Sequence, residues 1–115
     1  MSPTIVLKDG RPVFVIGSPG GSRIIGYVAK SIIAHIDWGM DPQKAISYPH
    51  LVNRFGTYDL EKGTAAEKLE PALKAMGFET NIRDLNSGLH AIAIGPNGGL
   101  TGGADPRREG IVLGQ

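Results

Sequence analysis

Hydrophobic and polar positions in the first part of the chain predict a β-hairpin. The run Thr4–Lys8 is rich in β-branched residues, and Pro12–Ile16 is an almost unbroken apolar run. Between them lies Asp9-Gly10, a strong signal for a two-residue hairpin turn. We therefore expect Thr4–Lys8 to pair with Pro12–Ile16 as antiparallel strands.

From Ser22 onwards the apolar period lengthens to that of a helix. A predicted apolar stripe at helical spacing consists of Ile25, Val28, Ala29, Ile32 and Ile36. Gly39 is a residue suited to the left-handed position just after a helix. The pattern predicts a long amphipathic helix that begins at Ser22, ends at Gly39 and buries this stripe.

The remainder of the chain predicts shorter elements. Asp41 and Pro42 suit the N-cap and first position of a second helix, which Pro49 stops. A helix over Ala65–Met76 has to begin near Glu67 to accommodate its proline. The remaining expected elements are strands over His50–Phe55, Thr57–Glu61, Phe78–Ile82, Leu89–Ile94 and Leu100–Gly103, followed by a loop from residue 107 to 115. Strands joined by tight turns favour a single α+β domain over residues 1–115, with an antiparallel sheet and helices on one face.

Composition and charge exclude several classes of function. A net charge of +1 without a basic cluster gives no basis for nucleic-acid binding, and no apolar stretch is long enough for membrane insertion. The amino terminus shows no pattern of a signal peptide. The sequence has no cysteine, and its histidines, His35, His50 and His90, lack metal-ligand spacing. We therefore predict neither a metal site nor a cofactor.

Glycine is in excess, at 17 of 115 residues, and the segment "GSPGGSRII" places two adjacent glycines before the first helix. Three interpretations compete. The pair could simply form a turn that needs positive φ. It could cradle a phosphate, although neither standard glycine-rich phosphate motif is present. It could also hold an oxyanion, because two amides without side chains can approach developing negative charge closely.

Several long segments resemble one enzyme family. These are "MSPTIVLKDGRPVFVIGSPGGSRII", "IDWGMDPQKAISYPHL", "LEKG", "ALKAMGFE" and "AIAIGPNGGLTGGADPRREG", which together cover essentially the whole chain. They are similar to the gamma-glutamyltransferase (gamma-glutamyltranspeptidase) family, in the carboxy-terminal part of its small subunit.

The resemblance implies an N-terminal-nucleophile hydrolase with an αββα sandwich, made as a precursor that cleaves itself into two subunits. An N-terminal threonine attacks the γ-glutamyl amide of glutathione-like substrates, and the acyl-enzyme passes to water or to an acceptor. The family's oxyanion glycines correspond to Gly20 and Gly21 here. The resemblance also implies a periplasmic or extracellular location.

The chain departs from the family by starting after the serine pair that contacts the γ-glutamyl carboxylate. The nucleophilic threonine, the acidic residue that binds the substrate amino group and the large-subunit arginine are also missing, and Thr4 lies in a predicted strand. We therefore expect a chain that is inactive alone and whose partners are the rest of the small subunit and the large subunit.

Two alternatives remain open at this stage. The chain could be a non-catalytic, self-associating module, or part of a related cephalosporin acylase. Near its end, Asp105-Pro106-Arg107-Arg108 resembles the family's "DPR" segment. From the residues alone we predict a turn there, with an Asp–Arg surface pair that contributes about 0–1 kcal/mol.

Overall fold

The computed structural model describes residues 2–114, which form two compact units: residues 2–48 with 87–114, and residues 49–86. The strands are β1 (Thr4–Lys8), β2 (Arg11–Gly17), β3 (Leu51–Arg54), β4 (Thr57–Glu61), β5 (Glu79–Arg83), β6 (His90–Ile94) and β7 (Leu100–Ala104). The α-helices are α1 (Ile24–Ile36), α2 (Pro42–Ser47) and α3 (Glu70–Ala75), and 3₁₀ turns span Gly21–Arg23 and Ala65–Leu69.

The first unit is built on a four-stranded antiparallel sheet in the order β1-β2-β6-β7. The predicted hairpin is confirmed: Thr4 pairs with Ile16, and Asp9 and Gly10 both adopt positive φ, 52° and 77°. Positive φ at both turn residues is typical of the two-residue hairpin turn whose twist matches that of the flanking strands.

One face of this sheet carries the core of the first unit. Phe14 and Ile16 are buried there, and the Phe14 ring stacks on His35 of α1 with centroids 4.4 Å apart. On the same face, a Cβ at Gly103 would lie 2.9 Å from the backbone nitrogen of Gln43 and 3.0 Å from Ile46 Cδ1. Helices α1 and α2 therefore lie on the same face of the sheet, and α2 approaches β7 closely because Gly103 has no side chain.

Helix α1 buries only part of the stripe that the sequence predicts: Val28 is buried and Ile32 is half-buried, whereas Ala29 is exposed. Its buried residues are Ile24, Tyr27, Val28, Ser31 and Ala34. Ile25 is 73% exposed and Ile36 is 49% exposed, so both assignments to the core were wrong. The helix has aliphatic residues on two sides, and periodicity alone cannot say which side meets the sheet.

Helix α2 begins as predicted. Asp41 Oδ1 accepts a hydrogen bond from the Lys44 backbone N–H at 2.8 Å, and Pro42 occupies the first turn. The side chain satisfies one of the free amides at the start of the helix, and proline has no amide to satisfy. The helix ends at Ser47, two residues before Pro49.

The second unit contains a three-stranded sheet in the order β3-β4-β5. Strands β3 and β4 are antiparallel, but β4 and β5 are parallel, so the antiparallel prediction was wrong for this pair. The helical segment between β4 and β5 explains it, because parallel neighbours need a crossover. That segment is a 3₁₀ turn followed by α3, with Pro71 in the first turn of α3. His50, which directly precedes β3, is fully buried.

The other face of the four-stranded sheet carries an apolar row of exposed residues. Ile5 pairs with Val15 and Val15 pairs with Ile92, and they are 61%, 37% and 43% exposed. The predicted loop is confirmed over residues 107–114, and residue 115 lies outside the described residues. Val112 of this loop lies against Gly102, beside this row. We call Ile5, Val15 and Ile92 the outer row.

Of the helices within residues 2–114, none combines the length and apolar character that a bilayer span requires.

Candidate active site

The glycine loop, Ser18–Ser22, connects the end of β2 to the 3₁₀ turn that leads into α1. Gly20 adopts φ 138° and ψ 15°, and Gly21 adopts φ 64°. Both values lie in the region that L side chains rarely adopt, so the backbone conformation itself selects glycine at both positions.

The two glycines have different surroundings. A Cβ at Gly20 would lie 2.9 Å from Cε2 of the buried Tyr27 ring, whereas a Cβ at Gly21 would meet nothing within 4 Å. Gly20 is therefore packed against the first turns of α1, while Gly21 is exposed and borders open space.

Within residues 2–114, the amide N–H groups of Gly20 and Gly21 have no hydrogen-bond partner. Among the hydrogen bonds between described residues, none uses the N–H of Gly20 or Gly21 as its donor, while the Gly20 carbonyl accepts from Arg23 N at 3.4 Å. Unbonded amides at the start of a helix attract negative charge, because the helix dipole is positive at that end. The preceding strand β2 is antiparallel to both neighbours, so the loop is not part of the strand–helix–strand unit typical of phosphate cradles.

A buried polar network lies directly behind the glycine loop. The Ser18 hydroxyl accepts from Gly88 N at 3.1 Å and donates to the Pro19 carbonyl at 2.7 Å. A Cβ at Gly88 would lie 2.9 Å from Cγ of Pro19, so the Pro19 ring leaves no room for a side chain at position 88. The residues before the glycine pair are thus fixed by a hydrogen bond and by close packing.

The Asp105 carboxylate holds the segment that contains Gly88. Asp105 Oδ2 accepts from the Ser87 hydroxyl and from Leu89 N at 3.1 Å, and the Asp105 amide donates to the Leu89 carbonyl at 2.8 Å. Its Oδ1 accepts from the backbone and the guanidinium of Arg107, each at 3.0 Å. The predicted Asp–Arg pair forms, but Asp105 is buried, so its expected surface location was wrong. The sequence shows the "DPR" segment, but no local pattern indicates that Ser87 donates a hydrogen bond to Asp105.

Two cations bind the carbonyls at the end of α2. Lys30 Nζ donates to the carbonyls of Ala45, Ile46 and Tyr48 at 2.7, 3.1 and 3.0 Å. The guanidinium of Arg107 donates to those of Ile46, Ser47 and Tyr48 at 2.9, 3.3 and 3.1 Å. Positive charge is favourable there, because the last carbonyls of a helix have no partner within it.

The other candidate residues do not join this site. The Thr4 hydroxyl donates to the Ser2 carbonyl at 3.0 Å within the hairpin, and His35 Nδ1 lies 2.8 Å from the Met40 carbonyl. In the part of the chain that the structure describes, no group of three or more acidic, histidine or cysteine side chains is placed to hold a metal ion.

Comparisons with known proteins agree on one family. The sequence profile for Gamma-glutamyltranspeptidase matches residues 1–115. The chain is 38% identical to the glutathione hydrolase proenzyme of Escherichia coli over 93% of its own length and 19% of that protein. It is 36% identical to the Acylase ACY 1 proenzyme of Pseudomonas sp. strain SE83, over 98% of its length and 20% of that protein. It therefore spans about a fifth of the curated relatives.

The solved structures give the same result. The fold superposes on a gamma-glutamyltranspeptidase from Helicobacter pylori with a TM-score of 0.85 and 34% identity, over 94% of this chain and 61% of that one. For the enzyme from Pseudomonas nitroreducens the values are 0.87 and 28%, over 100% and 62%. The α+β fold and its neighbours define the class as N-terminal-nucleophile hydrolases. Within that class, the chain belongs to the gamma-glutamyltranspeptidase family.

Proposed function

We propose that this chain supplies the oxyanion-binding amides of a site for γ-glutamyl hydrolysis or transfer, and that Gly20 and Gly21 are those amides. The observation that carries the proposal is a pair of adjacent amide N–H groups that donate no hydrogen bond to any described residue, next to open space at Gly21. Family membership supplies the chemistry: attack on the γ-glutamyl amide creates an oxyanion, which such donors stabilise.

The nucleophile of this proposed site lies outside residues 1–115. Thr4 is held within the β1–β2 hairpin, and its hydroxyl donates to Ser2. The relatives are proenzymes about five times as long as the match, which leaves most of their length to supply a threonine and the groups that bind substrate. We propose that the isolated chain is therefore inactive and functions with those segments as its partners.

An acylase that acts on a different acyl group is the second candidate, favoured by the 36% identity to Acylase ACY 1. Both reactions pass through an oxyanion, so the glycine pair has the same role in each. The acyl group accepted then depends on residues outside this chain.

A chimera tests the proposed role of the glycine pair. Residues 2–114 replace the matching segment of the Escherichia coli glutathione hydrolase proenzyme, and release of p-nitroaniline from γ-glutamyl-p-nitroanilide is measured. We expect turnover by the chimera and none by the 115-residue chain alone. Gly21→Leu fills the open side of the loop and should lower kcat on the order of 100-fold or more, since loss of one oxyanion donor costs about that much.

Gly10→Leu is the matched control, because Gly10 also has positive φ, 77°, and nothing within 4 Å of its Cβ position. It adds the same side chain under the same backbone strain, but at the tip of the hairpin. Equal losses in the two variants would contradict the proposed oxyanion site. Turnover by the chain alone would refute its dependence on outside segments.

A further inference from the structure

The network behind the glycine loop connects residues that are far apart in sequence. Ser18 and Gly88 are separated by 70 positions, and Ser87 and Asp105 by 18. All four residues are buried, so their hydrogen bonds are protected from competition by water. The network has a direction: the Asp105 carboxylate fixes residues 87–89, which contact Ser18 and Pro19, the residues just before Gly20.

We infer that Asp105 is a positioning residue for the oxyanion amides, acting through the 87–89 segment and Ser18; this inference rests on the proposed function. Each carboxylate oxygen of Asp105 accepts two hydrogen bonds, from Ser87 and Leu89 on one side and from Arg107 twice on the other. No neutral side chain of this size can accept four. Asparagine would direct an NH₂ group at donors on one side or the other.

Close packing between Gly88 and Pro19 connects the 87–89 segment to the glycine loop. A Cβ at Gly88 would lie 2.9 and 3.0 Å from Cγ and Cδ of Pro19 and 3.1 Å from Arg108 Cδ. A proline ring cannot move away without moving its own backbone, which continues directly into Gly20. A shift of residues 87–89 therefore displaces the amides that would face the substrate.

Asp105→Asn in the chimera tests the inference. We expect kcat to fall on the order of 10- to 100-fold with KM changed by less than about threefold, since misplaced donors weaken transition-state binding and leave ground-state binding alone. Asp37→Asn, at an exposed position after α1, is the matched control and should retain parental kcat. A kcat that differs from the parental value by less than about twofold, or a rise in KM alone, would overturn the inference.

A double-mutant cycle separates positioning from general destabilisation. Ser18→Ala removes the hydrogen bond between Gly88 N and the Ser18 hydroxyl. It should lower kcat by a smaller factor in the Asp105→Asn background than in the parent, because both substitutions break the same connection. Independent, multiplicative losses would overturn the connection through Ser18.

A measurement without catalysis completes the test. In ¹⁵N-labelled 115-residue chain, Asp105→Asn should shift the amide signals of Gly20 and Gly21, and Asp37→Asn should leave them in place. Unshifted glycine signals in a folded Asp105→Asn chain would overturn the inference. If instead Gly21→Leu has no more effect on kcat than Gly10→Leu, while Asp105→Asn shifts the signals, the proposed function fails and the positioning by Asp105 stands.

Discussion

Gly20 and Gly21 are adjacent, yet each needs to be glycine for a different reason. At Gly20 both the backbone, with φ 138°, and the Tyr27 ring exclude a side chain. At Gly21 only the φ of 64° does so, and the space beyond is open. A structural and a proposed functional requirement therefore occupy neighbouring positions.

This difference predicts that Gly20→Ala lowers stability. The added methyl overlaps the buried Tyr27 ring and strains the backbone, which should reduce the free energy of unfolding by about 1–3 kcal/mol. Urea denaturation of the 115-residue chain measures it. Gly99→Ala, where a Cβ meets nothing within 4 Å, should change stability by less than about 0.5 kcal/mol. Equal stability of the two variants would contradict the close packing of Gly20 against Tyr27.

At the residue scale, sequence identified the glycine pair but not the groups that support it. The adjacent glycines before a helix are a local signal, readable without a fold. The burial of Asp105 is not local, since it depends on Ser87 and Leu89 reaching the same carboxylate. An aspartate followed by proline and arginine has the composition of an exposed turn, and only the fold distinguishes the two.

At the scale of elements, helix α2 depends on charges from other parts of the chain. It has only six residues, too few to be stable by itself. Lys30 from α1 and Arg107 from beyond β7 both donate to its last carbonyls, and Gly103 lets it lie directly on β7. Tertiary contacts therefore hold this helix in place.

Lys30→Met should release the end of α2. It retains an apolar side chain of similar length but removes three hydrogen bonds to carbonyls, so we expect a loss of about 1.5–3 kcal/mol in the free energy of unfolding. Lys44→Met, at an exposed position on α2 itself, is the control and should be nearly neutral. Comparable losses for both, in urea denaturation, would show that the carbonyl contacts of Lys30 contribute little.

Elements with one apolar side and clear end signals were predicted well, as the β1–β2 hairpin and the start of α2 show. The buried face of helix α1 was only partly predicted: Val28 is buried as expected, but Ile25 and Ile36 satisfy helical spacing without being buried. The parallel pairing of β4 with β5 was missed although the helical segment between them favours it.

At the scale of the whole molecule, the first unit presents an uncovered apolar surface. The outer row, Ile5, Val15 and Ile92, crosses three strands of the sheet on the face opposite to α1 and α2. Apolar area left in water costs about 25 cal/mol per Å². In a sandwich of two sheets such a face would meet the second sheet, and we propose that segments of the longer relatives correspond to that cover.

We therefore expect the isolated chain to self-associate through the outer row. Sedimentation velocity at micromolar concentration should show species larger than a monomer, and Ile5→Lys should shift the distribution towards monomer. Met76→Lys, at an exposed apolar position in the second unit, should not. A parent chain that sediments as a single monomeric species would contradict this expectation.

The long separation between Ser18 and Asp105 also has a consequence for the order of events during biosynthesis. Translation reaches the glycine loop well before Asp105, whose carboxylate fixes the support of the loop. Contacts so distant in sequence close late, because the intervening chain must be ordered first. We therefore expect the loop to become ordered only after translation has passed Asp105.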